Sequence, residues 1–183
     1  MRVAKAKGTV VIEVVKALRA NRERAAAMLP AKLAHYLEER IVVASWYPLD
    51  EYLTLLRAAG KVIPNRGGQV YEKMGRDAAR SHMAGTYSRL KKTTNRTASF
   101  TLLSSMYDTG ELKVLEREPG HAVLEFANFA IPARELCDTF TGYQAERMGL
   151  MGFEDVKVRH TRCRAEGSPS CLWELSWKGR EML

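Results

Sequence analysis

HTRCRAEGSPSCLWELSW (His160–Trp177) gathers one His, two of the three Cys and two of the three Trp around a Gly-Ser-Pro turn. Apolar residues alternate on both sides of that turn. Val156, Val158 and His160 fall on one face of the incoming segment; Cys171, Trp173, Leu175 and Trp177 fall on one face of the outgoing segment. Period two of this kind is the signature of a half-buried antiparallel hairpin. A slip of one residue would turn every side chain over, so both apolar sets must face one core. That condition pairs Val156 with Trp177, Val158 with Leu175 and His160 with Trp173. It also makes His160 and Cys171 neighbours on the inner face. Cys163 has the opposite parity to His160, and a regular strand points it away; it joins them only where the strand bulges or the turn begins at Arg162.

The parity bears on metal binding. A zinc site wants four His, Cys or carboxylate ligands at tetrahedral geometry. His160, Cys163 and Cys171, spaced H-x2-C-x7-C, supply three and lack a C-x2-C pair. Cys137 lies on a helical face with Leu136, Phe140 and Tyr143, where a small core hydrophobe is explanation enough. The stretch therefore reads first as a buried, hydrogen-bonded hairpin with no metal assigned. Zinc on His160, Cys163 and Cys171 is the lesser alternative, and a Cys163–Cys171 disulfide is disfavoured by a reducing compartment.

Working outward, "ELKVLERE" and "HAVLEFANF" form a second hairpin around Pro119-Gly120, and Pro132 opens the helix that carries Cys137. Upstream the period changes to helical. Val11, Val14, Val15 and Leu18 lie at i, i+3, i+4, i+7 behind a Thr9 cap. A segment from Glu23 to Glu39 is broken at Pro30. Leu49, Tyr52, Leu53 and Leu56 follow Pro48, with Gly60 as the stop. A long helix spans about Gly68 to Lys92, with Tyr71, Met74, Gly75, Ala78, Ala79, His82, Met83, Tyr87 and Leu90 in one stripe. Its small central residues would let another backbone approach closely. The predicted fold class is α+β: one domain, 1–183, with a helical part (9–98) layered on a four-stranded antiparallel sheet built as hairpin-helix-hairpin (99–178).

A length of 183 residues, 46% apolar and 27% charged, suits one soluble globular domain. No apolar run is long enough for a membrane span. The basic, then apolar, N-terminus is interrupted by Glu13 and Lys16 and lacks a cleavage site, so it is not read as a secretory signal. With three Cys, a cytoplasmic location is expected. The net charge of +8 is uneven: 19 Lys and Arg against 8 Asp and Glu through residue 98, then 10 against 13. Arg76, Arg80, Arg89, Lys91, Lys92 and Arg96 would form a basic surface. No nucleic-acid motif accompanies it, so a nucleic-acid or acidic-surface binder is the second functional reading.

No nucleophile elbow, P-loop, zincin motif or dinucleotide fingerprint is present. "NRGGQ" (Asn65–Gln69) reads as a turn before a helix, and Asp108, Glu111 and Glu116 as solvated carboxylates. His35 and His121 read as exposed. His82, between Ala79 and Met83, reads as a core histidine rather than a ligand contact. Nothing supports an enzyme.

Four stretches carry a resemblance: "WYPLDEYLTLL", "GELKVLEREPGHAVLEF", the helix after it, and the terminal H-x2-C-x3-G-x3-C-x-W-x3-W. Together they resemble the superfamily of ligand-binding domains that includes the 4-vinyl-reductase-like domain, the TRAPP vesicle-tethering subunits and, more remotely, the haem-based nitric-oxide sensors. The chain is most similar to a paralogous protein family expanded in myxobacteria. The resemblance implies a TRAPP-like helical layer over a sheet, a homodimer, and an apolar cavity for a small hydrophobic ligand, acyl chain or cofactor. It implies a sensory or scaffold role, with signalling through a separate protein partner. The matched residues are His160, Cys163, Gly167, Cys171, Trp173 and Trp177, and some relatives are thought to use equivalent cysteines for metal. The expected ligand-binding residues are Ala78, Ala79, His82, Met83 and Trp173. The haem sensors' Tyr-x-Ser-x-Arg signature is absent, and "TYSRLKK" (Thr86–Lys92) has the residue types at the wrong spacing, which argues against haem. A tetrapyrrole reductase is the third reading, on the family name alone.

Overall fold

The computed structural model describes residues 3–64, 69–85, 88 and 105–179, and the chain divides into two compact units. The first comprises residues 1–70 with 106–108, the second 71–105 with 109–183. The boundary falls ahead of the long helix that the sequence pattern groups with the N-terminal part.

In the first unit, strand β1 (Lys5–Lys7) pairs antiparallel with β2 (Trp46–Pro48). Helices α1 (Gly8–Arg19) and α3 (Leu49–Val62) pack together. Val11, Val14, Val15 and Leu18 are buried as their spacing requires, as are Leu49, Tyr52, Leu53 and Leu56. Thr9 is not the cap: α1 begins one residue earlier, and the Thr9 hydroxyl donates to the Val43 carbonyl. Pro30 separates α2 (Arg22–Met28) from a 3-10 helix at Ala31–Leu37, and α3 continues through Gly60 to Val62. Tyr36 Oη donates to Glu51 at 2.7 Å, and burial holds the phenol well above its ordinary pKa.

The second unit carries helix α4 (Val70–Ala84), strands β3 (Glu111–Glu118) and β4 (His121–Ala127), helix α5 (Arg134–Leu150), and strands β5 (Phe153–Arg162) and β6 (Cys171–Gly179). The apolar stripe beyond Ala84 lies outside the described residues. The four strands form one antiparallel sheet, ordered β3-β4-β6-β5. Val158 faces Leu175 and His160 faces Trp173, as the alternation demands; Val156 falls instead in an irregularity between Glu154 and Lys157, where Asp155 adopts φ +49°. The inner face carries Ala122, Leu124, Cys171, Trp173 and Leu175, all buried.

Helix α5 covers that face. Phe140 packs on Trp173 with ring centroids 4.4 Å apart. The Trp173 indole N–H donates to Thr141 Oγ1 at 3.0 Å, and that hydroxyl donates to the Cys137 carbonyl at 3.0 Å. The relay ties β6 to α5 through buried groups that water cannot satisfy. Trp173→Phe is expected to cost about 2 kcal/mol, the sum of a lost buried hydrogen bond and lost packing area. Urea denaturation measures it, and an unchanged midpoint would mean the relay contributes nothing.

On its other side α5 crosses α4 at two glycines. A Cβ built on Gly75 would lie 2.0 Å from the Thr139 carbonyl oxygen, and one on Gly142 would lie 1.9 Å from that of Glu72. Backbone meets backbone there, as the small residues of the stripe predict.

Candidate functional site

The end of β5 departs from regular pairing. His160 pairs with Trp173 and Arg162 with Leu172, so one extra residue is inserted between them. A bulge of this kind inverts the strand's parity beyond it. Cys163, which a regular strand would point outward, is therefore buried on the inner side. A 3-10 turn (Arg164–Glu166) and Gly167, at φ +92°, bring the chain back to β6. The Ser168 and Glu166 amides donate to the Cys163 carbonyl and fix the turn.

Three elements now converge. Cys137 comes from α5, His160 and Cys163 from the β5 end, and Cys171 from the start of β6; their ligand atoms all lie within 4.8 Å of one another. Cys137 Sγ is 3.6 Å from Cys171 Sγ and 4.0 Å from Cys163 Sγ. Zinc–thiolate bonds of about 2.3 Å place tetrahedral sulfurs about 3.8 Å apart, so these separations suit a shared metal. They are far too long for a disulfide, and the three thiols are free. The His160 ring stacks on Trp173, centroids 4.5 Å apart, and both its ring nitrogens are buried with no hydrogen-bond partner among the described residues. Buried ring nitrogens without a partner are costly unless something is coordinated there. The parity argument that set Cys163 apart is corrected by the bulge, and Cys137, read as a plain core residue, is the fourth member.

The electrostatics match. The hydrogen bond from the Cys137 thiol is the largest effect drawing Cys171 below the ordinary thiol pKa; His160 and the Arg164 backbone N–H, 3.3 Å from Sγ, assist against burial. The same bond, then burial, holds Cys137 protonated, and burial raises Cys163. One thiolate is thus favoured without a metal, and deprotonating all three thiols would require a cation among them.

The remaining candidates are dispersed. Ala79, His82 and Met83 are buried on α4 and Ala78 is half-buried, whereas Trp173 is engaged beneath α5 with Phe140, Thr141 and His160. His82 Nδ1 lies 3.2 Å from Tyr143 Oη. On the basic surface, Arg80 makes a bidentate pair with Glu146 at 2.8 and 3.1 Å and a further pair with Asp77. Arg76 lies 3.9 Å from Glu72, and neighbouring Lys73 pairs with Asp77. This part of the surface is laced with acid. Arg89, Lys91, Lys92 and Arg96 lie outside the described residues, as does Asn65–Gly68. Asp108 accepts from the Lys5 amide, and Glu111 pairs with Lys113.

No protein-family model matches the sequence, and no curated protein matches it. Solved structures do match. An H-NOX protein from S. oneidensis in the Fe(II) ligation state is similar with a TM-score of 0.68 at 13% identity, over 96% of this chain and 97% of that one. The fold is H-NOX-like. An oxygen-binding H-NOX domain related to soluble guanylate cyclases gives 0.65 at 16% identity, over 97% of both chains. A third, from work on haem distortion in the H-NOX family, gives 0.64 at 15%, over 94% and 95%.

These matches support an H-NOX-like fold and not the vinyl-reductase-like or TRAPP-like one expected from the resemblance. They also overturn the argument against haem. That argument rested on a missing three-residue signature, yet structures sharing this fold along nearly the whole chain are described by their Fe(II) state and haem distortion. A short motif is a weaker discriminator than a fold retained at such low identity. Among the described residues no helix is long and apolar enough to cross a membrane.

Proposed function

We propose that this chain is a non-enzymatic sensory domain that binds a small ligand, and that a zinc ion on Cys137, His160, Cys163 and Cys171 fastens its terminal hairpin to α5. The single observation that carries the metal is the convergence of four donor atoms within 4.8 Å around an otherwise unpartnered imidazole. Three sulfurs and one nitrogen form a closed set with no open position, so zinc would cross-link here rather than catalyse. Three free thiols suit a reducing, cytoplasmic compartment.

The H-NOX-like fold supports the sensory part. Haem is the ligand class that the fold favours, and His82, buried on α4, is the residue that would hold its iron. The contact of its Nδ1 with the Tyr143 hydroxyl is the kind of outer contact that orients a ligating imidazole. A small apolar ligand is the second reading, from the superfamily resemblance. A homodimer, with output through a separate signalling protein, completes the proposal.

Native mass spectrometry with absorbance spectroscopy tests it. The expected native mass exceeds the denatured mass by one zinc ion. Added ferrous haem should give a sharp Soret band that His82→Ala abolishes while zinc is retained. A native mass without zinc overturns the metal centre; a Soret band unchanged in His82→Ala removes His82 as the residue that would hold haem.

A further inference from the structure

The loop ahead of β2 carries apolar side chains where a turn usually has polar ones. Ile41 is buried, but every residue from Val42 to Trp46 is exposed. Val42, Val43 and Trp46 are 48%, 40% and 43% exposed. The Ser45 amide donates to the Val42 carbonyl at 3.0 Å, so Val43 and Ala44 form the tip of a tight turn. Gly, Pro, Asn, Asp and Ser are the usual residues there. The turn is pinned from three sides. The Gly8 amide donates to the Ser45 carbonyl at 2.7 Å, the Thr9 hydroxyl to the Val43 carbonyl, and the Val42 amide to Tyr47 Oη at 2.8 Å. A single exposed apolar residue is ordinary, whereas a contiguous group marks an interaction surface.

Cations border the tip. Register sets Lys7 opposite Trp46 and Lys5 opposite Pro48, and cross-strand partners share a face. Lys7 Nζ lies 5.8 Å from the centre of the Trp46 ring. Arg40 is exposed just before Ile41. Of the nearby acids, Glu38 pairs with Arg22, Asp108 accepts from the Lys5 backbone amide, and Glu39 is exposed beside Arg40. Among the described residues no carboxylate forms an ion pair with Lys5, Lys7 or Arg40.

We propose that the Val42–Trp46 turn docks this chain on the surface of an anionic phospholipid bilayer. Anionic headgroups attract Lys and Arg near the surface, and Trp settles at the headgroup level. An apolar turn tip projects, and a fluid bilayer admits it without a preformed pocket. Docking here needs neither zinc nor haem, since all six residues belong to the first unit.

Co-sedimentation of the full chain with phosphatidylcholine vesicles, with and without phosphatidylserine, tests it. Sedimentation is expected only with phosphatidylserine. K5Q/K7Q should weaken it about 30-fold, at about fivefold per cation. K61Q/K178Q removes equal charge at the far end of α3 and in the second unit, and should change it little. V42S/V43S should release the protein with its charge unchanged. Brominated lipid should quench Trp46, because Trp173 and Trp177 are buried, and W46F should lose that quenching. The turn's hydrogen bonds use none of the substituted side chains, so each variant should keep the parent Tm. Equal losses in the two lysine pairs would reduce the effect to net charge and overturn the site. Retained binding in V42S/V43S, or no sedimentation at all, would also overturn it. Soluble polyglutamate binding as tightly as vesicles would replace the bilayer with an acidic protein partner.

Discussion

Replacing Cys171 by Ser, or stripping the proposed zinc with a chelator, is expected to lower Tm by about 8–16 °C. The figure follows from linkage. A metal present at about a thousand times its dissociation constant stabilises by about 4 kcal/mol, and each kcal/mol moves Tm by about 2–4 °C in a domain of this size. The four residues that would hold it come from α5, the bulged end of β5 and β6, so the loss should reach all three elements. A pH series separates metal from mere packing. In the stripped protein Cys137 and Cys163 are held protonated, their folded pKa values raised above the unfolded value. Their contribution is fully present below the unfolded thiol pKa, about 8.5, and is lost as pH rises above it. Zinc-bound thiolates carry no such penalty. The stripped protein should therefore melt progressively lower from about pH 8.5 upward while the zinc-bound protein does not, as read by calorimetry. Acid acts oppositely, weakening zinc binding by protonating its ligands. Identical melting with and without chelator across this range would leave the cluster as three thiols and a histidine.

Gly142→Ala is the second large effect. The new methyl group would lie 1.9 Å from the Glu72 carbonyl oxygen, and that of Gly75→Ala 2.0 Å from the Thr139 oxygen. The obstacles are backbone atoms inside helices, which cannot rotate aside, so α4 and α5 must separate along their contact. Each change should cost about 3 kcal/mol or more, the upper range for overpacking. The double variant should cost clearly less than the sum, because the first methyl opens the gap the second needs. Chemical denaturation of the two single variants and the double measures this. Strict additivity would show that the glycines act at independent contacts. Separation should also disturb the His82–Tyr143 contact, since those residues lie on the same two helices. Haem uptake is then expected to weaken in parallel.

What was legible in the sequence is a matter of period. Val158–Leu175 and His160–Trp173 were readable as pairs because alternation admits one register that buries both apolar sets. The faces of α1 and α3, the break at Pro30 and the close approach at Gly75 were readable for the same reason: a local pattern states which side is buried. The haem question was misread because a three-residue signature was taken to stand for a fold.

The sequence by itself determined the two hairpins around a helix, the helical first half, and His160 and Cys171 as neighbours on the inner face of the last hairpin. Only the tertiary structure decided that Cys137, His160, Cys163 and Cys171 meet. A single residue inserted between His160 and Arg162 inverts the parity of all that follows, and nothing in local hydrophobicity marks it. Cys137 reaches Cys171 across 34 positions of chain because α5 lies on the inner face of the sheet. Periodicity records burial along one element, whereas a metal centre depends on distances between elements, and packing alone sets those.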